Sequence, residues 1–204
     1  MIPIYQILVS GSVLGLFLQA APISFLVAAV YAVYRWVKIR RKGLSVAWGT
    51  EVVRWLFVAY VAGLINLILT PNNFWSGIWA RLFVGYSGNE IDWFCGEFNW
   101  MPTLLKCLRG ELTIGSWVKT MLVGNFLMFI PMGIFLPLIS PKVNWCSVLK
   151  FAVGIPIVVE LIQPIVGRSF DVDDILCNVL GILAGFGVYM LIRFLFCRFV
   201  KRHG

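Results

Sequence analysis

The sequence predicts an all-α fold, a polytopic bundle of about five transmembrane helices that forms a single membrane domain over residues 1–204. Three observations predict it. Hydrophobic residues make up 60% of the chain and charged residues 13%, about half the charged share of an ordinary soluble domain. The apolar runs are continuous rather than alternating, which favours helices over a closed barrel. The basic clusters lie between or after these runs, as cytoplasmic anchors do.

Each apolar run is long enough to cross a bilayer, which takes about 20 residues. Pro22 lies near the middle of the first run, so a re-entrant pair of short segments is the alternative to one long helix there. The N-terminus has neither a basic region nor a small-residue cleavage site, and we expect it to be retained as a span. The predicted spans lie within 4–37 and at about 46–69, 119–139, 148–166 and 175–196.

The placement of lysine and arginine predicts the orientation of the chain. One basic cluster at 38–42 follows the first span, Lys142 and Lys150 flank the turn after the third, and a basic tail follows the fifth. All three positions agree with an outer N-terminus and a cytoplasmic C-terminus, whereas an even number of spans would not. We therefore expect a multi-pass protein of the cytoplasmic membrane. The same placement argues against nucleic-acid binding, because the charges do not line a groove.

A polar and aromatic segment at 71–117 falls outside the membrane in this topology, and we expect it to be partly helical. Residues 74–86 could form a short helix lying flat in the headgroup layer. Its tryptophans either anchor the protein at the interface or guide an amphiphilic ligand. Cys95 and Cys107 could form a disulfide there or remain two thiols. The cysteines show no zinc-type spacing.

Polar side chains gather near the predicted outer face on three segments. Charged residues within spans usually face a helix-bundle interior or a wet cavity, so these residues are candidates for function. Glu160 and Gln163 are spaced i,i+3, and Asp174 and Asn178 are spaced i,i+4, so each pair shares a helix face. The full set is Asn125 on the third span, Glu160 and Gln163 on the fourth, Arg168, Asp171, Asp173 and Asp174 in the loop after it, and Asn178 on the fifth.

Local signals next to these residues predict how the helices begin and pack. Asp173 or Asp174 could cap the fifth span, where a negative charge suits a helix N-terminus. Gly181 and Gly185 form a GxxxG pattern, which allows a neighbouring helix to approach closely. Pro131 and Gly133 follow Asn125 on the third span, and we expect a kink and a small contact there.

The second half of the chain resembles the VanZ-like family of bacterial membrane proteins. The residues that carry the resemblance are GNFLMFIPMGIFLPLI at 124–139 and ELIQPIVGRSFDVDDILCNVLGILAG at 160–185, within a motif region at about 119–196. The resemblance implies a protein of the bacterial cytoplasmic membrane. The family's namesake is linked to reduced susceptibility to teicoplanin and related glycopeptide antibiotics, which implies a role at the cell envelope.

The polar set has a functional and a structural interpretation. In the functional one, Glu160, Asp171 and Asp174 are candidate acid, base or electrostatic catalysts. Arg168 then pairs with a phosphate of a lipid-linked ligand, and Asn125, Gln163, Asp173 and Asn178 complete the binding site. In the structural one, Arg168 pairs with Asp171 or Asp174, and Gln163 bonds to Asn178. Helix capping would also explain part of the acidic run.

The sequence predicts no cofactor and no metal site, although a divalent cation at the acidic run is an alternative because carboxylates are suitable ligands. It contains one histidine, His203, in the predicted cytoplasmic tail, which excludes a serine–histidine triad. Whether the protein is an enzyme stays open, and hydrolysis or transfer by carboxylates would be the chemistry. We expect its partners to be membrane lipids and a lipid-linked cell-wall precursor or a glycopeptide-related ligand. Nothing in the sequence determines the oligomeric state.

Two other functions compete with this one. A transporter or flippase predicts polar residues at the bilayer midplane and internal repeats, and the sequence shows neither. A non-catalytic scaffold subunit predicts that the polar set is dispensable, whereas the glycine face is not. We therefore expect a VanZ-like membrane protein that binds or modifies an amphiphilic, lipid-linked cell-envelope substrate at the outer leaflet.

Overall fold

The structure, a computed structural model, is helical throughout most of its length. It describes residues 13–43, 45–71, 74–85, 93–94, 96–109, 115–140 and 142–203. In chain order its elements are α1 (Val13–Lys42), α2 (Trp48–Leu69), α3 (Phe74–Val84), β1 (Phe98–Asn99), α4 (Thr103–Leu108), α5 (Ser116–Ile139), α6 (Trp145–Ile162), a 3-10 turn (Gln163–Val166), β2 (Phe170–Asp171) and α7 (Val172–His203).

Five helices within the described ranges are long and apolar enough to cross a membrane, which confirms the predicted number of spans. Large apolar side chains cover the outer faces of these helices, as hydrocarbon requires. The membrane-length segments are Leu18–Lys42, Trp48–Leu69, Lys119–Ile139, Trp145–Val166 and Val172–Lys201.

The predicted spans differ from the observed helices at several places, and the fifth span, predicted at about 175–196, is observed at Val172–Lys201. From Val13 onward the first span is one continuous helix, so the re-entrant alternative is wrong, while residues 4–12 lie outside the described part. The basic cluster belongs to the last turns of α1 rather than following the helix. The fourth span begins at Trp145 and ends in a 3-10 turn, because Pro164 has no N–H for a regular α-helical bond.

The chain divides into two compact units, each formed from two stretches of sequence. The first unit is Met1–Glu97 with Ile162–Ser169, and the second is Phe98–Leu161 with Phe170–Gly204. The first contains α1, α2, α3 and the 3-10 turn. The second contains α4 to α7 and the two short strands.

In the first unit, α1 packs along α2 through small and aromatic residues. A Cβ atom at Gly63 would lie 2.6 Å from the Ser24 hydroxyl, so this glycine lets the two helices approach closely. Trp55 donates its indole N–H to the Ala28 carbonyl at 3.0 Å. These contacts join the middle of α1 to the middle of α2.

An ion-pair cluster joins the basic end of α1 to the start of α2. Arg35 donates to both carboxylate oxygens of Glu51, and Arg54, three residues further along α2, donates to the same carboxylate at 2.7 Å. Arg35 is the partner that the sequence did not indicate, because it lies on another helix.

We expect Glu51→Gln to lower the thermal unfolding midpoint in detergent more than Arg54→Gln does. Loss of Glu51 removes the only carboxylate of the Arg35–Glu51–Arg54 cluster and leaves both arginines without it, whereas loss of Arg54 leaves the two-pronged Arg35 pair intact. Equal midpoints for the two variants would contradict this ranking.

In the second unit, α5 and α7 interlock through glycines. Cβ atoms at Gly133, Gly181 and Gly185 would lie 2.0, 2.3 and 2.0 Å from backbone oxygens of the facing helix. The two backbones are therefore in direct contact, which confirms the close approach predicted from the GxxxG pattern. This contact aligns the start of α7 beside the first half of α5.

The segment at 71–117 is partly helical, as predicted, with α3 and α4 separated by the short strand β1. Phe98 and Asn99 of β1 pair in parallel with Phe170 and Asp171 of β2. Cys95 and the side chain of Cys107 lie outside the described residues, so the disulfide alternative stays a prediction. Cys146, Cys177 and Cys197 are free thiols.

Candidate functional site

The first turn of α7 is organised by Asp171 rather than by the two aspartates that follow it. Asp171 Oδ1 accepts the backbone N–H of Asp173 at 2.9 Å, the side-chain bond of a helix N-cap. The prediction that Asp173 or Asp174 caps this helix is therefore wrong. The helix begins at Val172, so both residues lie inside its first turn and not in the preceding loop. Their side chains bond to other elements.

Among the described residues of the second unit, Glu160 is the most buried charged residue. Its side chain is 0% exposed, and its Oε2 accepts the backbone N–H of Asp171 at 3.0 Å. The sequence of α6 explains the burial, because Val148, Ala152, Pro156 and Val159 repeat every three or four residues and form one buried face. Glu160 continues that face and meets β2 where the chain enters α7.

Two further carboxylates of α7 bond to separate elements. Asp173 Oδ2 accepts the backbone N–H of Thr103 at 2.7 Å, at the start of α4. Asp174 Oδ1 accepts the side-chain amide of Asn125 on α5. The acidic residues therefore hold α4, α5, α6 and α7 together at one end of α7. Below, this set (Asn125, Glu160, Asp171, Asp173, Asp174 and Asn178) is called the acidic network.

Asn178 lies one turn beyond Asp174 on the same face of α7 and is 3% exposed. Its Oδ1 is enclosed and has no hydrogen-bond partner among the described residues. The predicted bond between Asn178 and Gln163 stays a prediction. An enclosed acceptor without a donor is rare in proteins.

Asp171 is the carboxylate of the network that lies between membrane-length segments, and it is partly exposed. Burial raises the pKa of its carboxyl above the ordinary value, and the neighbouring charge of Asp173 adds to that rise. The Asp173 N–H, the Asn99 amide and the charge of Lys106 act in the opposite direction. Burial is the largest of these influences, so Asp171 holds its proton to higher pH than an aspartate in water.

Gln163 and Arg168 make their described bonds in the first unit, at the end of α2. Arg168 donates to the Leu67 carbonyl at 3.0 Å, and Gln163 donates to the Ile68 carbonyl at 3.5 Å. Both carbonyls belong to the last turn of α2, where no further helical N–H is available. A guanidinium at a helix C-terminus also opposes the negative end of the helix dipole. These two predicted ligand residues therefore have a capping role.

Sequence reasoning did not find Asn99, which donates its amide to Asp171 Oδ2 at 3.3 Å. Nor did it find the contact between the aromatic rings of Trp100 and Phe170, whose centroids are 4.7 Å apart. Both contacts depend on the parallel pairing of β1 with β2. A two-residue bridge between positions 72 residues apart leaves no periodic pattern in a sequence.

A family model described as VanZ/LLP1 matches residues 57–193, about two thirds of the chain. The chain belongs to the VanZ/LLP1 family. No curated protein and no solved structure matches it significantly. The VanZ/LLP1 match confirms the resemblance seen in the second half of the sequence and extends it toward the N-terminus, over most of α2 and over α3.

Every predicted site residue lies within the VanZ/LLP1 region. In the described part of that region no group of three histidine, cysteine or acidic side chains has metal-site geometry. The carboxylates of the network accept hydrogen bonds from backbone and side-chain N–H groups. Glu160 is deep, Asp171 is partly exposed with a raised pKa, and one backbone N–H joins them, which is a suitable arrangement for a proton donor beside a buried carboxylate.

Proposed function

We propose that this VanZ/LLP1 membrane protein binds or modifies the polar head of an amphiphilic, lipid-linked cell-envelope substrate at the outer leaflet, and that this activity reduces susceptibility to glycopeptide antibiotics. The observation that carries the proposal is Glu160, a carboxylate that is 0% exposed within a membrane-length segment. Such residues are rare in spans and mark substrate or ion sites. Lipid-linked wall precursors and glycopeptide-related ligands are the candidate partners.

The length and charge of α7 support an outward-facing network. The helix spans Val172–His203, roughly 48 Å at 1.5 Å per residue, which exceeds the ~30 Å hydrocarbon layer. Asp173 and Asp174 occupy its first turn, and Arg198 and Lys201 lie near its other end. Basic residues favour the cytoplasmic side, so the acidic end of the same helix faces out, in the bacterial cytoplasmic membrane that we propose as its location.

If the protein acts as an enzyme, the structure favours Asp171 over Asp174 as the proton donor. Asp171 is partly exposed and its pKa is raised, so it can hold a proton for a leaving oxygen. Glu160 would be the buried carboxylate that activates water or stabilises positive charge. Asp174 accepts a hydrogen bond from Asn125 and would position the start of α7. The reaction class would be hydrolysis or group transfer without a covalent serine intermediate.

We expect Glu160→Gln to abolish the decrease in teicoplanin susceptibility that the wild-type protein gives a susceptible bacterial host. Glutamine keeps a side-chain oxygen that can accept the Asp171 N–H, so folding should be retained while the charge is lost. The measurement is the minimum inhibitory concentration of teicoplanin, with the amount of protein in the membrane fraction as the expression control.

Glu97→Gln is the matched control, because it makes the same chemical change at an exposed position. It should leave the inhibitory concentration unchanged. Full resistance in cells that carry Glu160→Gln at wild-type membrane levels would refute the acidic network as the functional site. Thermal midpoints of both purified variants in detergent check that the buried substitution has not unfolded the protein.

A further inference from the structure

The end of α2 and the start of α3 carry a second polar cluster, which the sequence did not assign to a site. Asn66 Oδ1 accepts the Thr70 hydroxyl and the Trp75 indole N–H, each at 3.1 Å. Trp75 stacks on Trp79 with ring centroids 6.4 Å apart, and Trp79 stacks on Phe83. All five residues belong to the first unit.

Two hydrogen-bond donors of this cluster are enclosed and without a partner. They are Asn66 Nδ2, on a residue that is 7% exposed, and Trp79 Nε1, and neither bonds to any described residue. The orientation of the Asn66 amide is determined by its contacts, because the atom facing Thr70 and Trp75 must accept two donated hydrogens. Both unpartnered atoms are therefore donors. Enclosed donors without partners are rare in proteins and indicate that an acceptor is missing.

The helix segments that carry these donors, and the turn that bonds to the end of α2, contain arginine but no carboxylate. The sequence contains no aspartate or glutamate in residues 62–71, 74–85 and 162–169, whereas it contains Arg81 and Arg168 there. Arg168 bonds to the Leu67 carbonyl, one residue from Asn66. Enclosed hydrogen-bond donors on segments that contain arginine and no carboxylate suit an anionic acceptor such as phosphate. The cluster also lies at the end of a membrane-length helix among tryptophans, where lipid headgroups are found.

We propose that Asn66 Nδ2 and Trp79 Nε1 donate hydrogen bonds to the phosphate group of an anionic lipid headgroup. A lipid is favoured over free phosphate because the donors belong to a tryptophan-rich cluster at the end of a membrane-length helix. This site does not involve the acidic network, so it is tested separately from the proposed function.

The test is a binding titration of the detergent-purified full-length protein. The probes are dihexanoyl phosphatidylglycerol, dihexanoyl glycerol with the same chains but no phosphate, and inorganic phosphate. Native mass spectrometry counts bound probe, and isothermal titration calorimetry measures the dissociation constant. We expect the phosphatidylglycerol to bind with a defined stoichiometry and the other two probes to bind at least about tenfold more weakly, since the phosphate and the chains each contribute.

Trp79→Phe removes the indole N–H and keeps an aromatic ring for stacking, and it should raise the dissociation constant for the phospholipid about tenfold. Asn66→Asp keeps an oxygen for Thr70 and Trp75 but replaces the unpartnered donor with an acceptor, and it should weaken binding at least as much. Trp93→Phe is the matched control at an exposed tryptophan and should bind as the wild type does. Glu160→Gln should also bind the phospholipid normally.

Three results would overturn the proposal. Binding of dihexanoyl glycerol as tight as that of the phospholipid would show that phosphate is not recognised. Binding of inorganic phosphate as tight as that of the phospholipid would show that the site recognises phosphate alone and not a lipid. Thermal midpoints check that Trp79→Phe and Asn66→Asp are folded. Unchanged phospholipid affinity in both folded variants would show that the enclosed donors bond to water and not to the phospholipid.

Discussion

Replacing Gly185 with alanine is expected to destabilise the protein by about 3 kcal/mol, the upper part of the range for overpacked cores. The added Cβ would lie 2.0 Å from the Ile130 carbonyl oxygen and 3.2 Å from the Gly133 Cα. Both atoms belong to the backbone of α5, so no side chain can turn aside, and α5 must separate from α7. Thermal unfolding in detergent and the monodisperse fraction on size exclusion measure the effect.

Gly187→Ala is the control for Gly185→Ala, because it lies two residues further along α7 and a Cβ there would meet nothing within 4 Å. We expect its unfolding midpoint to equal that of the wild type or to exceed it, since alanine is the better helix former. Gly133→Ala, which approaches the Ile182 carbonyl from the other helix, should reproduce the loss. Similar stability of Gly185→Ala and Gly187→Ala would contradict the interlocked packing.

Asp171→Ala is expected to destabilise the protein by about 1 to 2 kcal/mol, since it removes the N-cap of α7. The Asp173 N–H would lose its acceptor, and the Asn99 amide would lose its partner. Asp171→Asn should retain most of the stability, because asparagine is an equally good N-cap. Comparison of the two variants by thermal unfolding separates loss of the cap from loss of the charge.

The raised pKa of Asp171 also predicts how stability changes with pH. The folded protein binds the Asp171 proton more tightly than the unfolded chain does, so its contribution is fully present below the ordinary pKa near 3.8. That contribution is lost as the pH rises through the raised folded pKa. The unfolding midpoint of the wild type relative to Asp171→Asn should therefore decrease from pH 3.5 upward. A difference that stays constant or increases over this interval would show that Asp171 is not held protonated by burial.

The helices could be predicted from the sequence because each depends on a local run of apolar residues. The third span was predicted at the observed residues, 119–139, since Lys119 and the Ser140–Pro141 turn mark both of its ends. The predicted helix ends were wrong where the sequence offered more than one candidate cap residue. Asp173 and Asp174 look like caps, yet Asp171 performs that role, because its side chain accepts the N–H of Asp173, two residues further along the chain.

The residues of the candidate site could be predicted from the sequence, but their hydrogen-bond partners could not. Asn125, Glu160 and the aspartates were expected together, and hydrogen bonds join them through α5, α6 and α7. The position of Arg168 against α2 was not expected, since its acceptor, Leu67, is 101 residues away. Residue type shows that a side chain needs a partner, whereas the packing of distant helices selects the partner.

By itself, the sequence determined that this protein has five helices able to cross a membrane and a small set of polar residues that hydrocarbon does not tolerate unpaired. Apolar length and charge placement are properties of single segments, so no packing was needed to infer them. Only the tertiary structure decided which groups pair: Glu160 with the Asp171 N–H, Asp174 with Asn125, and Arg168 with the end of α2. Hydrogen bonds act over about 3 Å, so their partners exist only after the helices have packed.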